Sequence, residues 1–118
     1  MKILISPAKS LDFDSTIDSL ECTQPVFLNK TSEINSVLKE KSPKDLMQLQ
    51  GISQKLSDLN WKRNNDYVDD HNNKNSRPAV FAFNGDVYSG IDVKTLSEDK
   101  VYDLQKSLRI LSGYYGVL

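Results

Sequence analysis

Lys2-Ile3-Leu4-Ile5-Ser6-Pro7-Ala8-Lys9-Ser10-Leu11 begins with a short aliphatic, β-branched run and breaks at Ser6-Pro7. Proline offers no amide donor and the residue before it is held extended, so Lys2 to Ile5 reads as an inner strand that enters a loop. The loop places small residues and one lysine directly after a strand, where α/β chains commonly put ligand-holding groups. Its simplest use is a crossover connection with a solvated lysine. The next apolar run of this kind is Ala79-Val80-Phe81-Ala82-Phe83, opened by Pro78 and broken at Asn84-Gly85-Asp86. It suits a second buried strand. Two strands among four or so helices predict an α+β fold, a mixed sheet with several short helices. No internal repeat or linker divides residues 1–118, which are expected to form a single domain.

Between the strands the spacing is helical. Ile34, Val37 and Leu38 predict an amphipathic helix over 31–41 with that face inward. Ser42-Pro43-Lys44-Asp45 supplies an N-cap, a proline at the first helical position and an acid in the first turn, with Leu46, Met47 and Leu49 as the buried side and Gly51 as the stop. Ser53 caps a third helix carrying Leu56, Leu59 and Trp61. The junction Gln50-Gly51-Ile52-Ser53 has the pattern of a helix–hairpin–helix element, in which amides near a glycine turn face a phosphate. A second glycine usually stands where this chain has Ser53, and the same residues also make a plain helical corner. Towards the end, Ser97-Glu98-Asp99 starts a helix with Val101, Leu104, Leu108 and Leu111 on one face and Gly113 as its stop.

Composition narrows the partners. Of 118 residues, 38% are hydrophobic and 26% charged, and 15 Lys+Arg against 16 Asp+Glu leave a net charge of −1. Residues 1–41, 42–78 and 79–118 each lie within one charge of neutrality, so there is no basic tail to track phosphates and any nucleic-acid surface must be assembled by folding. No apolar run approaches the roughly 18 residues that cross a bilayer, and the N-terminus is too short for a signal peptide, so a cytoplasmic protein without membrane contact is expected. One cysteine, Cys22, and one histidine, His71, exclude an internal disulfide and a multi-His or cysteine-based metal site within the chain.

The chemistry on offer is sparse. The polar stretch 12–24 carries Asp12, Asp14, Asp18 and Glu21 but lacks the glycine and distal glutamate of a calcium loop, and reads as a solvated acidic loop. Residues 64–77 hold five asparagines and His71 beside Asp69 and Asp70, a surface loop with an exposed histidine. Cys22 follows Glu21, whose charge opposes thiolate formation, so a passive thiol is expected. There is no nucleophile elbow, Walker loop or dinucleotide fingerprint, and nothing specifies an enzyme by mechanism. No cofactor or metal is expected.

Four blocks in order resemble the YaaA peroxide-stress protein family: residues 2–11; Ile52-Ser53-Gln54-Lys55-Leu56 with Leu59-Asn60 and Arg63; Phe83-Asn84-Gly85-Asp86-Val87-Tyr88-Ser89-Gly90; and Leu108-Arg109-Ile110-Leu111-Ser112-Gly113-Tyr114-Tyr115-Gly116-Val117-Leu118. The resemblance implies a cytoplasmic protein that limits oxidative damage, lowers free iron and protects DNA, with a mixed DNA-binding fold, a positive cleft and a helix–hairpin–helix element. Carried over by position, the matching blocks hold the basic residues Lys9, Lys55, Arg63 and Arg109, with Ser6, Asn60, Gly85, Asp86, Tyr88, Gly113 and Tyr115, and the resemblance assigns no role to any of them. Lys9, Lys55, Arg63, Arg109, Gly113 and Tyr115 are expected to face DNA, and Ser6, Lys9, Asn60, Gly85, Asp86 and Tyr88 to form a ligand pocket between the strand ends. Leu111 to Gly116 rivals Gly51 as the DNA-facing turn, at what the spacing makes a helix end. The family continues past the Gly-Val-Leu step with an Arg-Pro segment and a more basic region, so this chain is expected to be an N-terminal portion of the family's fold. The expected function is a peroxide-stress role in which the complete protein binds DNA through phosphate contacts and limits iron-mediated oxidative damage. The alternatives are an enzyme acting on a small or nucleotide-like ligand near Lys9 and Asp86, and an inactive fragment.

Overall fold

The computed structural model describes residues 1–18 and 21–118. Ser19 and Leu20, inside the acidic stretch, lie outside the described residues. The fold is α+β, with six α-helices and two small sheets among the described residues. The chain forms two compact units. One comprises Met1–Val26 with His71–Leu118, and the other is Phe27–Asp70. Among the described residues no helix is long and apolar enough to cross a membrane.

In the first unit, β1 (Ile3–Ile5), β4 (Leu108–Ser112) and β5 (Gly116–Val117) form a sheet in the order β1-β4-β5. β1 runs parallel to β4 with Ile3 opposite Leu108 and Ile5 opposite Ile110, and β4 turns back antiparallel onto β5. β2 (Ser10–Leu11) and β3 (Phe83–Asn84) make a separate antiparallel pair, Ser10 opposite Asn84. The core here is Phe81, Ala82, Tyr88, Val93, Leu108 and Ile110.

Sequence and structure part company at three places in this unit. The strand expected at residues 2–5 forms, but at the edge of the sheet rather than inside it, with Ile3 45% and Leu4 61% exposed. The run 79–83 is mostly helical: α4 (Ala79–Ala82) starts after Pro78, whose carbonyl accepts from the amides of Phe81 and Ala82 at 2.9 and 3.1 Å, and only Phe83–Asn84 is strand. A short apolar run carries no periodicity to separate the two outcomes. The helix expected to reach Leu111 ends earlier, as α6 (Glu98–Ser107). Leu108 and Ile110 then alternate inward as β4, a period of two that Leu104, Leu108 and Leu111 had mimicked at helical spacing. Gly113 therefore stops no helix. It sits in the β4–β5 turn, where the Ser112 hydroxyl accepts from the amides of Tyr114 and Tyr115 at 3.2 and 3.0 Å, and Gly116 supplies the positive φ of 77°. α5 (Asp86–Ile91) and a 3-10 turn at Val93–Thr95 complete the unit.

The second unit is three helices: α1 (Leu28–Lys39), α2 (Pro43–Gln50) and α3 (Gln54–Asp66). α2 starts as its sequence demands. The Ser42 hydroxyl accepts from the Asp45 amide, the Asp45 carboxylate accepts from the Ser42 amide at 2.9 Å, and Pro43 opens the helix. The Ser42 hydroxyl also donates to the Asp45 carboxylate at 2.7 Å, and that bond, followed by the Ser42 amide's, holds the Asp45 carboxyl below its ordinary range. Leu46 is fully buried. Around it the packing is polar: Thr31 and Asn35 of α1 and Ser57 of α3 are the other buried residues. The face of α1 expected inward is largely outside, with Ile34 partly and Val37 54% exposed, and Leu49, Leu59 and Trp61 also face solvent. Hydrophobic spacing located these helices but not their buried sides, because Thr31 and Asn35 take the positions that a longer aliphatic stripe would fill.

Candidate functional site

Two places gather the residues that the sequence singles out, one in each unit. In the helical unit, α2 ends at Gly51, whose φ of 60° and ψ of 43° are left-handed. A Cβ there would meet nothing within 4 Å, so glycine is required by the backbone and not by crowding. The amide of Ile52 returns to the Met47 carbonyl at 3.3 Å, and Ser53 caps α3 by accepting from the Leu56 amide at 3.3 Å. In the first turn of α3 the amides of Gln54 and Lys55 have no intrahelical acceptor. That turn holds no acid, and Lys55 is exposed in it. A cation at the positive end of a helix dipole opposes the helix's own electrostatics and adds to the positive potential met by an approaching anion.

Arg63 and Asn60 do something different. The Asn60 amide donates to the Gln50 side-chain oxygen at 2.9 Å, and the Arg63 guanidinium donates to the Asn60 side-chain oxygen at 3.3 Å. This relay braces the end of α2 against α3. Arg63 is half-buried, and burial lowers its pKa.

In the sheet-bearing unit, the loop after β1 meets the turn after β3. The Tyr88 hydroxyl donates to the Ser6 carbonyl at 2.7 Å, and the Tyr88 ring lies 5.5 Å from that of Phe83. Burial raises the Tyr88 pKa and so keeps the hydroxyl a donor. Gly85 has a φ of 152°, and a Cβ on it would come 3.6 Å from the Ala8 Cβ. Ser6, Lys9, Gly85, Asp86 and Tyr88 thus share one neighbourhood, whereas Asn60 belongs to the other unit. A cavity of about 140 Å³ nearby is lined by Asp12, Asn84, Tyr88, Ser89, Asp92 and Lys94 among others, so of the expected pocket residues only Tyr88 borders it.

The remaining DNA candidates sit in the β4–β5 region. Arg109 spends its guanidinium on the carbonyls of Gln105 and Leu108, both at 2.6 Å. Gly113 and Tyr115 belong to the hairpin turn and not to a helix end. The Tyr115 hydroxyl lies 3.4 Å from Nε2 of His71, with the two rings edge to face at 5.8 Å. His71 is accordingly half-buried against Tyr115, a correction to the exposed histidine expected from its loop.

One cluster has no local sequence signal. The Asp12 carboxylate accepts from Lys94 at 2.8 Å, from the Ser15 hydroxyl at 2.5 Å and from the amides of Ser15 and Asp14, while Arg77 donates to the carbonyls of Phe13 and Ser15 at 3.0 and 2.8 Å. The Lys94 bond, followed by those from Ser15, holds the Asp12 carboxyl far below the usual carboxylate range. In a stretch that reads as solvated, Asp14, Asp18 and Glu21 are exposed, but the turn at Asp12–Ser15 is pinned by two cations distant in sequence. Among the described residues no three His, Cys, Asp or Glu side chains gather as a metal-binding group.

Fold and sites together describe a small α+β protein with a helix–glycine–helix corner and a lysine-bearing loop after a parallel strand. The family model for the peroxide stress protein YaaA matches residues 1–118, and the chain belongs to that family. UPF0246 proteins of Flavobacterium psychrophilum and Flavobacterium johnsoniae are each 48% identical to it over 118 residues, all of this chain and 47% of each relative. One from Hahella chejuensis is 45% identical over the same span, 46% of its length. The chain thus spans about half the length of these relatives.

Proposed function

We propose that this chain acts in the peroxide-stress response by binding duplex DNA through phosphate contacts at the α2–α3 corner, and so limits iron-mediated oxidative damage to it. Membership in the YaaA peroxide-stress family supports the stress role. The observation that carries the DNA contact is the corner itself: left-handed Gly51, two first-turn amides of α3 with no helical acceptor, and Lys55 exposed where an acid would ordinarily stand. Phosphate is the ligand such a turn suits, because it takes backbone donors and a point positive charge without reference to base sequence. Lys55 is the side chain best placed for this contact. Arg63 and Arg109 are engaged by Asn60 and by backbone carbonyls, and on this reading they position the elements that carry the contact.

Binding of this kind releases counterions, so the logarithm of affinity falls linearly with that of salt, by about 0.9 per phosphate neutralised on duplex DNA. Lys55→Ala is expected to weaken duplex binding and flatten that slope by about 0.9, with circular dichroism unchanged because Lys55 is exposed. Fluorescence anisotropy on one duplex at several salt concentrations measures both. The wild-type chain should also protect supercoiled plasmid from nicking by ferrous iron and hydrogen peroxide better than the variant. Equal slopes and equal protection would remove the corner from the interface.

A further inference from the structure

The loop after β1 and the turn after β3 hold an opposite-charge pair that the fold leaves unused. In the β2–β3 ladder Ser10 faces Asn84, so Lys9, just before β2, and Asp86, just after Gly85, leave the same end of the pair. Both are exposed. Among the described residues neither takes part in a side-chain hydrogen bond or ion pair. Elsewhere in the chain neighbouring charges do find each other, as with Lys94 and Asp12 at 2.8 Å, Lys30 and Glu33 at 3.0 Å, and Lys106 and Asp103 at 3.2 Å. The backbone beneath Lys9 and Asp86 is nonetheless fixed. The buried Tyr88 holds the Ser6 carbonyl at 2.7 Å, and Ala8 packs where a side chain on Gly85 would begin. The loop also leaves the carboxyl end of β1 beside its parallel partner β4, the end of a parallel sheet at which ligands are held.

From this juxtaposition we infer that Lys9 and Asp86 form the two poles of a small-molecule site for a ribose phosphate, with Lys9 on the phosphate and Asp86 on the sugar hydroxyls. Lysine meets phosphate as a point charge, and an aspartate beside a strand end accepts from vicinal ribose hydroxyls. Gly85, without a side chain, lets Ala8 close against the backbone between the poles. The site lies wholly in the sheet-bearing unit and does not depend on the DNA contact proposed for Lys55.

Amide chemical shifts of the 118-residue chain, titrated with adenosine 5′-monophosphate, its 2′-deoxy counterpart and inorganic phosphate, test the inference. Adenosine 5′-monophosphate is expected to move the amides of Ser6, Ala8, Gly85 and Asp86 saturably, and to bind more tightly than the 2′-deoxy form. Lys9→Ala should weaken both nucleotides at least tenfold while Lys9→Arg retains them. Asp86→Asn should erase the preference for the 2′-hydroxyl but leave phosphate binding intact. Lys55→Ala should change none of this. Shifts confined to Gln54 and Lys55, identical titrations for wild type and Lys9→Ala, or no saturable shift with any of the three probes would each overturn it.

Discussion

Asp12 shows how much one residue gathers from a distance. Its carboxylate takes Lys94, 82 residues away, together with Ser15 and two local amides, and Arg77 holds the carbonyls on either side of that turn. The folded carboxyl lies well below its ordinary value of 3.8. A depressed carboxylate pKa contributes stability that is fully present above the unfolded value and is lost as pH falls through it towards the folded value. Asp12→Asn is therefore expected to lower the melting temperature at pH 7 and to flatten its fall below about pH 4, so that variant and wild type converge in strong acid. Thermal melts by circular dichroism at pH 7, 4 and 2.5 check this, and parallel curves would show that Asp12 contributes nothing through its charge. Nothing near Asp12 in sequence announces the cluster. The alternation of Asp12 and Asp14 marks a polar turn, and the cations that pin it arrive only when the chain has closed on itself. Tyr88 is the contrary case. Its apolar neighbours Val87 and Ile91 mark a short turn, and the turn delivers its hydroxyl to Ser6.

Elements were legible where their signals are local. Ser42-Pro43-Lys44-Asp45 predicts the start of α2 and Gly51 its end because a cap, a fixed proline φ and a left-handed glycine act within a few residues. The α2–α3 corner was readable for the same reason. β4 was not, because Leu108 and Leu111 satisfy a helical spacing and the partner that makes Leu108 to Ser112 a strand is β1, at the other end of the chain. The buried faces of α1 and α3 escaped as well, since Thr31, Asn35 and Ser57 occupy them. With so little aliphatic burial in this unit, Leu46 and the cap of α2 should dominate its stability. Leu46→Ala is expected to cost about 2–5 kcal/mol, and Ser42→Ala about 1 kcal/mol. Urea unfolding followed by the fluorescence of Trp61, the one tryptophan and a residue of α3, reports this unit directly. A smaller loss for Leu46→Ala than for Ser42→Ala would show that the polar contacts, not Leu46, hold the three helices.

At the scale of the whole molecule, β1 is the exposed element. Its sequence is aliphatic on both faces, as in strands buried in parallel sheets, yet among the described residues no strand pairs with its outer edge, and Ile3 and Leu4 face solvent. Proline, inward charge or a bulge would protect such an edge, and β1 has none of them within Ile3–Ile5. The chain is therefore expected to self-associate with rising concentration in sedimentation velocity, and Leu4→Lys to suppress the association without loss of secondary structure. Concentration-independent sedimentation of the wild type would show that the edge is closed in solution.

The order of the chain has its own consequence. The helical unit, Phe27–Asp70, is inserted in sequence between the two stretches that make the other unit. Its contacts are local, so it has all it needs early in synthesis. The sheet cannot close until Leu108–Ser112 emerges to meet Ile3–Ile5, a loop of about a hundred residues whose closure comes late and slowly. At about 5–20 residues per second, β1 waits some 5–20 s on the ribosome as an unpaired apolar strand. During that interval, longer than most folding steps of a chain this size, it is a segment for a nascent-chain chaperone to hold.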